Sequence, residues 1–251
     1  MIFAYLSRLN LTSRCRLAIT CCAALFVLLP SISYAQNESE PVLVISKSQY
    51  VEQLHGFWLG QNIANWTGLI TEMDKVGKKE TMPFYTDKDW RTPDLKVIWG
   101  EYVPHSSVID FYVEPKDGVW GADDDTDIEY MYQHLLYTHK TSLLTGEQIK
   151  DGWLKHMLIE EENFLWVANQ KALDLMQKGH VPPATSDPKF TTDSIYDNYY
   201  EMIDAQLTTE IFGFYAPSRP DFALKMAKLP IQTTARKNAQ WRSEERRVGK
   251  E

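Results

Sequence analysis

Asp123, Asp124, Asp125, Asp127 and Glu129 place five carboxylates within seven residues, in the run Trp120-Gly121-Ala122-Asp123-Asp124-Asp125-Thr126-Asp127-Ile128-Glu129-Tyr130. Like charges this close destabilise one another unless something positive sits among them. Two chemistries fit such a run. One is an over-built acidic cap, because Ile128, Met131, Tyr132, Leu135 and Leu136 follow the i, i+3, i+4, i+7, i+8 spacing of an amphipathic helix, and acids favour a helix N-terminus. The other is a site for hard cations, which take oxygen ligands and can be held or bridged by two or three carboxylates of one turn. A calcium loop is excluded. With Asp123, Asp125 and Asp127 as its first ligands, the obligatory glycine would be Ile128 and the closing glutamate His134.

A second stretch runs Gly56-Phe57-Trp58-Leu59-Gly60-Gln61-Asn62-Ile63-Ala64-Asn65-Trp66-Thr67-Gly68-Leu69-Ile70-Thr71-Glu72. Gly56, Gly60, Ala64 and Gly68 recur every four residues, a narrow small-residue stripe on a helix. Each glycine costs about 1 kcal/mol against alanine in a helix interior, so the stripe predicts a close helix–helix crossing.

The stripe with its isolated Glu72, followed later by an Asp-Asp-Thr turn before a helix, resembles the ADP-ribosylglycohydrolase family. Gly56, Gly60, Gly68 and Glu72 fall on that family's early glycines and glutamate, while Ala64 and Asn65 stand where the family has Gly-Asp. Asp124, Asp125 and Thr126 fall on its Asp-Asp-Thr, and Asp123 replaces the leading threonine. Met202 to Gly213, followed by Ala216-Pro217 and a further helix, is similar to a later segment of the family. Asp204, Gln206 and Glu210 occupy the stretch where substrate contacts lie.

The resemblance implies an all-α, compact multi-helix domain that hydrolyses a glycosidic bond to ADP-ribose or a related ribosyl group. It further implies two Mg2+ ions (Mn2+ as a substitute) on Asp123, Asp124 and Asp125. Glu72 would be the catalytic base or a substrate-positioning carboxylate, and Asn65, Asp204, Gln206 and Glu210 would contact substrate. The family's second acidic motif, an Asp-x-Asp-Ser/Thr near its C-terminus, has no counterpart after residue 126 of this chain. Two rival expectations are an exported glycosidase acting on another sugar or nucleoside, and a catalytically silent binding or structural member. The expected partner is a small-molecule or ADP-ribosylated substrate.

Residues 1–35 read as a signal peptide: Arg8, Arg14 and Arg16 precede or open an apolar stretch, Leu17 to Leu29, and Ser33-Tyr34-Ala35 forms the cleavage site. Export to the periplasm or medium is expected, without stable membrane association after cleavage. All three cysteines, Cys15, Cys21 and Cys22, lie in this segment, so the processed chain would have no disulfide. At the other end Arg242-Ser243-Glu244-Glu245-Arg246-Arg247-Val248-Gly249-Lys250-Glu251 reads as the in-frame translation of a common sequencing adapter. The expectation is that it is foreign, packs against nothing, and replaces a C-terminal part that the natural protein has. The net charge is −8; the leader contributes three positive charges and the last ten residues one, which leaves −12 on residues 36–241. So acidic a segment argues against nucleic-acid binding and suits a protein that gathers divalent cations.

The elements expected to position these groups are helices. Ser46 with Gln49 predicts the cap of the glycine-stripe helix, and Thr145 with Gln148 caps a helix carrying Ile149, Trp153 and Met157. Further helices are expected over 163–176, stopped by Gly179 and Pro182-Pro183, over 199–214, and over 220–229. Between the motif helices, residues 75–120 are broken by Pro83, Pro93, Pro104 and Pro115. They predict an irregular loop layer with one strand-like run, 108–113, and aromatics (Phe84, Tyr85, Trp90, Trp99, Tyr102) to pack it. The six histidines show no metal-ligand spacing, and no P-loop, dinucleotide fingerprint or nucleophile elbow is present.

Overall fold

The computed structural model describes residues 42, 44–71, 85–96, 107–110, 116–118, 122–158, 165–190 and 198–248. The chain divides into two units, 1–44 and Ile45–Glu251; of the first only Val42 and Val44 are described, both exposed. The second unit is all-α, as expected. Its helices among the described residues are α1 (Lys47–Leu69), α2 (Asp124–His139), α3 (Gly146–His156), α4 (Val167–Gln177), α5 (Asp204–Leu207), α6 (Ile211–Tyr215), α7 (Pro220–Thr234) and α8 (Lys237–Val248), with short 3-10 turns between α4 and α5. None is long and apolar enough to cross a membrane. The described parts of 75–120 are turns plus one antiparallel bridge between Pro93 and Val108, which matches the irregular layer expected there.

Local chemistry explains most boundaries. The Ser46 hydroxyl accepts the Gln49 N–H at the start of α1. Thr145 and Gln148 form the reciprocal box that opens α3. Gly179, at φ 88°, ends α4 in the left-handed conformation glycine tolerates, while the N–H of His180 returns to the Leu175 carbonyl. Pro220 begins α7, where its missing N–H costs nothing. The expected stop at Leu229 is overridden: α7 continues through the buried Pro230 to Thr234.

The core joins one face of α2 (Ile128, Met131, Tyr132, Leu135) to Ile149 and Trp153 of α3, Leu173 and Met176 of α4, Phe212 of α6, and Met226 and Ile231 of α7. Full burial of each large side chain is worth roughly 1.5–3 kcal/mol. The close helix approach lies between α2 and α3. A Cβ added to Gly152 would come within 2.5 Å of a Leu135 methyl carbon.

The glycine stripe does something other than expected. A Cβ on Gly56, Gly60 or Gly68 meets nothing within 4 Å among the described residues, so the close crossing read from their spacing is corrected. α1 packs instead through its other side, where Leu54, Phe57 and Trp58 lie on the core and the Phe57 and Phe214 rings are 5.0 Å apart. Bulky aromatics hold α1 away from its neighbours and turn the glycines outward. Gly60→Ala should therefore stabilise the protein by about 1 kcal/mol through helix propensity alone. A urea midpoint that falls on this substitution would show that the glycine face is covered.

The helix expected over 199–214 is broken into a 3-10 turn, α5 and α6. Thr209 turns its hydroxyl onto the Ala205 carbonyl, a side-chain bond that competes with helix continuation. At the C-terminus, α8 carries residues 242–248 onward as helix. Ser243 is fully buried with its hydroxyl on the Ala239 carbonyl, so the expectation that this tail packs against nothing is corrected as far as Ser243.

Candidate acidic site at the start of helix α4

Of the three consecutive aspartates, only Asp123 serves its own helix. It is the exposed N-cap of α2, and its Oδ1 accepts the Thr126 N–H at 2.8 Å. One carboxylate satisfies a cap, which leaves Asp124 and Asp125 for other partners.

Asp124 is buried and faces α4. Helix α4 has no cap of its own, because Trp166 occupies its N-cap position and offers no side-chain oxygen. The Oδ2 of Asp124 accepts the Trp166 N–H at 2.8 Å and the Asn169 amide at 2.8 Å. Asp204, the first residue of α5, completes the cap from the other side: its Oδ1 accepts the N–H groups of Ala168 at 3.2 Å and Asn169 at 3.1 Å. Two carboxylates from distant parts of the chain thus share the positive end of one helix. Burial raises the pKa of both, and the hydrogen bonds from α4 partly offset it.

Asp125 has no such donor set. Burial first, and then the charges of Asp124, Asp123, Asp204 and Glu210, push its pKa up to about 9. The expected site residues Asp124, Asp125, Asp204 and Glu210 are therefore brought together, with Glu210 at the N-cap of α6. Gln206 lies half-buried on α5, its N–H on the Ile203 carbonyl. Asn65 lies on α1. Gln61, one turn before Asn65 on α1, meets Glu129, one turn after Asp125 on α2. The Nδ2 of Asn65 is buried without a hydrogen-bond partner, as are Oδ2 of Asp204 and Oδ1 of Asn169. Glu72 lies outside the described residues.

Two residues of this region take roles that their motifs do not announce. Asn169 holds Asp124 through its side chain and Asp204 through its backbone. Glu129 is fully buried; its Oε1 accepts the Ile211 N–H at 2.8 Å, capping α6, and its Oε2 accepts from Gln61. The sign that could have found Glu129 is its position one turn after Asp125, an acid on the apolar face of α2.

The donor chemistry suits a divalent cation: hard oxygens only, an excess of negative charge around Asp125, and a buried carboxylate oxygen on Asp204 that no N–H or O–H reaches. A finished cage is not preformed. Among the described residues no three His, Cys, Asp or Glu side chains converge closely enough to hold a metal. Comparison of the chain with protein-family models, characterised proteins and solved structures gives no match.

Proposed function

We propose that this protein is a metal-dependent hydrolase that cleaves a glycosidic bond to ADP-ribose or a related ribosyl group at the Asp124–Asp125–Asp204–Glu210 cluster. The observation that supports this reading is Asp125, a part-buried acid set among four other carboxylates. Such an arrangement is costly unless a cation or a developing positive charge relieves it. Asp124, Asp125 and Asp204 would hold the cations, with Asp123 at the exposed rim. Divalent cations, when bound there, supply Lewis acidity toward ribose hydroxyls and water.

This chain's residues then have separable tasks. The start of α4, with Asn169, fixes the carboxylates of Asp124 and Asp204 in place, so little reorganisation is needed as charge develops. The cluster's negative potential favours the oxocarbenium-like character at the anomeric carbon. Asn65 offers an uncommitted amide to a substrate hydroxyl. Glu72 is the proposed proton acceptor from the attacking water.

A second reading has its own support. Asp123, Asp124 and Asp204 each accept a helix N–H, which is what a silent member retaining the fold would keep for stability. Incubating the protein with ADP-ribosylated peptides and with simple glycosides, each with Mg2+ or EDTA, separates the readings. The hydrolase releases ADP-ribose from the peptides only with Mg2+, and Asp124→Asn loses at least a hundredfold in rate. Cleavage of simple glycosides alone moves the substrate to another sugar, and no release from any substrate leaves the structural reading.

A further inference from the structure

His134, on α2, and His156, the last residue of α3, are not used by the function above. Their ring centres are 5.1 Å apart and their planes cross at 77°. The rings stand over a cleft of about 350 Å3 lined by Asp127, Tyr130, Met131, His134, His156 and Met157. Two histidines and two methionines therefore line one space. Met131 and Met157 come from the last buried layer beneath it, and His134 is exposed at its mouth.

We propose that this cleft is a monovalent copper site, with His134 and His156 as nitrogen ligands and Met131 and Met157 as sulfur ligands. The imidazole spacing is right for a shared ion: at ordinary metal–nitrogen bond lengths, two rings on one tetrahedral ion have centres about 5 Å apart. Thioethers select soft ions, and a set of two imidazoles and two thioethers with no thiolate suits Cu(I) better than zinc. The Nε2 of His134 sits 3.3 Å from the Thr138 hydroxyl, one turn further along α2. That contact fixes the ring and leaves Nδ1 for the metal, as outer partners commonly do for ligating histidines.

The motif lies outside ordinary sequence patterns because its parts are 3, 22 and 1 residues apart along the chain (Met131, His134, His156, Met157). It joins the middle of α2 to the end of α3, and the Gly152–Leu135 contact that draws those helices together brings the two histidines into range.

The test is an anaerobic Cu(I) titration against bicinchoninate, on the full chain without a polyhistidine tag and with Cys15, Cys21 and Cys22 replaced by serine to remove competing thiols. One ion per chain should be withdrawn from the competitor. His134→Gln and His156→Gln should each lower the affinity about a hundredfold with the helical circular dichroism unchanged, whereas His139→Gln should have no effect. Met131→Leu and Met157→Leu, which conserve volume, should lower Cu(I) affinity about tenfold and leave Zn2+ binding as it was. Failure to compete, or copper binding that survives loss of both histidines, overturns the site. Leucine variants that bind Cu(I) like the parent, or a parent that prefers Zn2+, overturn its assignment to copper.

Discussion

Asp125→Asn should raise the stability of the metal-free protein at pH 8 and abolish its response to Mg2+. The folded chain keeps the Asp125 proton up to about pH 9, against an ordinary value of 3.8. Between those limits the native state binds a proton that the unfolded state releases, so stability falls as pH rises, with a slope of at most about 1.4 kcal/mol per pH unit from this group. Asparagine has no proton to hold, and the slope disappears. At pH 3, where both states are protonated, parent and variant should melt alike. In the parent, a cation at a hundred times its Kd restores about 2.7 kcal/mol at neutral or higher pH. Thermal melts of both proteins at pH 3 and pH 8, each with and without Mg2+, read all of this. A parent that ignores Mg2+ while the variant still gains at pH 8 means that the acids are caps under strain and nothing more. A variant less stable than its parent at pH 8 contradicts the electrostatic account of Asp125 itself.

Asp204→Ala should be among the most destabilising substitutions outside the apolar core, costing on the order of 3 kcal/mol. It leaves the N–H groups of Ala168 and Asn169 facing a buried space with no acceptor. Asp204→Asn keeps an acceptor oxygen, and asparagine caps helices as well as aspartate does, so its stability should stay within about 1 kcal/mol of the parent. The pair separates two roles of one side chain. Urea unfolding reads the cap, through the alanine variant. Turnover of the asparagine variant reads the charge: a stable Asp204→Asn protein that keeps its full hydrolytic rate removes Asp204 from the site. Equal destabilisation by alanine and asparagine would show that the hydrogen bonds to α4 contribute little.

The parts of this fold that were legible in the chain are those fixed by neighbours. The apolar spacing from Ile128 to Leu136 gave α2, and Thr145 with Gln148 gave the start of α3, because caps and amphipathic faces are written within a few residues. The glycine stripe misled, since a four-residue spacing shows that a small face exists but not which neighbour, if any, meets it; Phe57 and Trp58 decided how α1 docks. The helix expected over 199–214 failed for a related reason. Its apolar content suits a helix, but Asp204 is held by α4 and Thr209 by its own backbone, so the segment turns twice. The acidic constellation was legible as a set of residue types. Its geometry was not, since nothing near Trp166 announces that α4 lacks a cap and borrows two carboxylates. Asn169 and the His134–His156 pair escaped for the same cause, and so did the capping role of Glu129, which was legible only as one acid of the run: each acquires its role only from a partner far along the chain.

That borrowed cap also says something about how the chain reaches its native state. Helices ordinarily nucleate from their own first turn, and helical proteins fold fast because most of their contacts are local. Here the first turn of α4 is capped by Asp204, 36 residues after Ala168, and by Asp124, 42 residues before Trp166. The start of α6 is likewise capped by Glu129, 82 residues earlier. Each closure spends loop entropy before any bond returns it. The acidic cluster is consequently the long-range part of an otherwise locally encoded molecule, and the starts of α4 and α6 both depend on it for their caps.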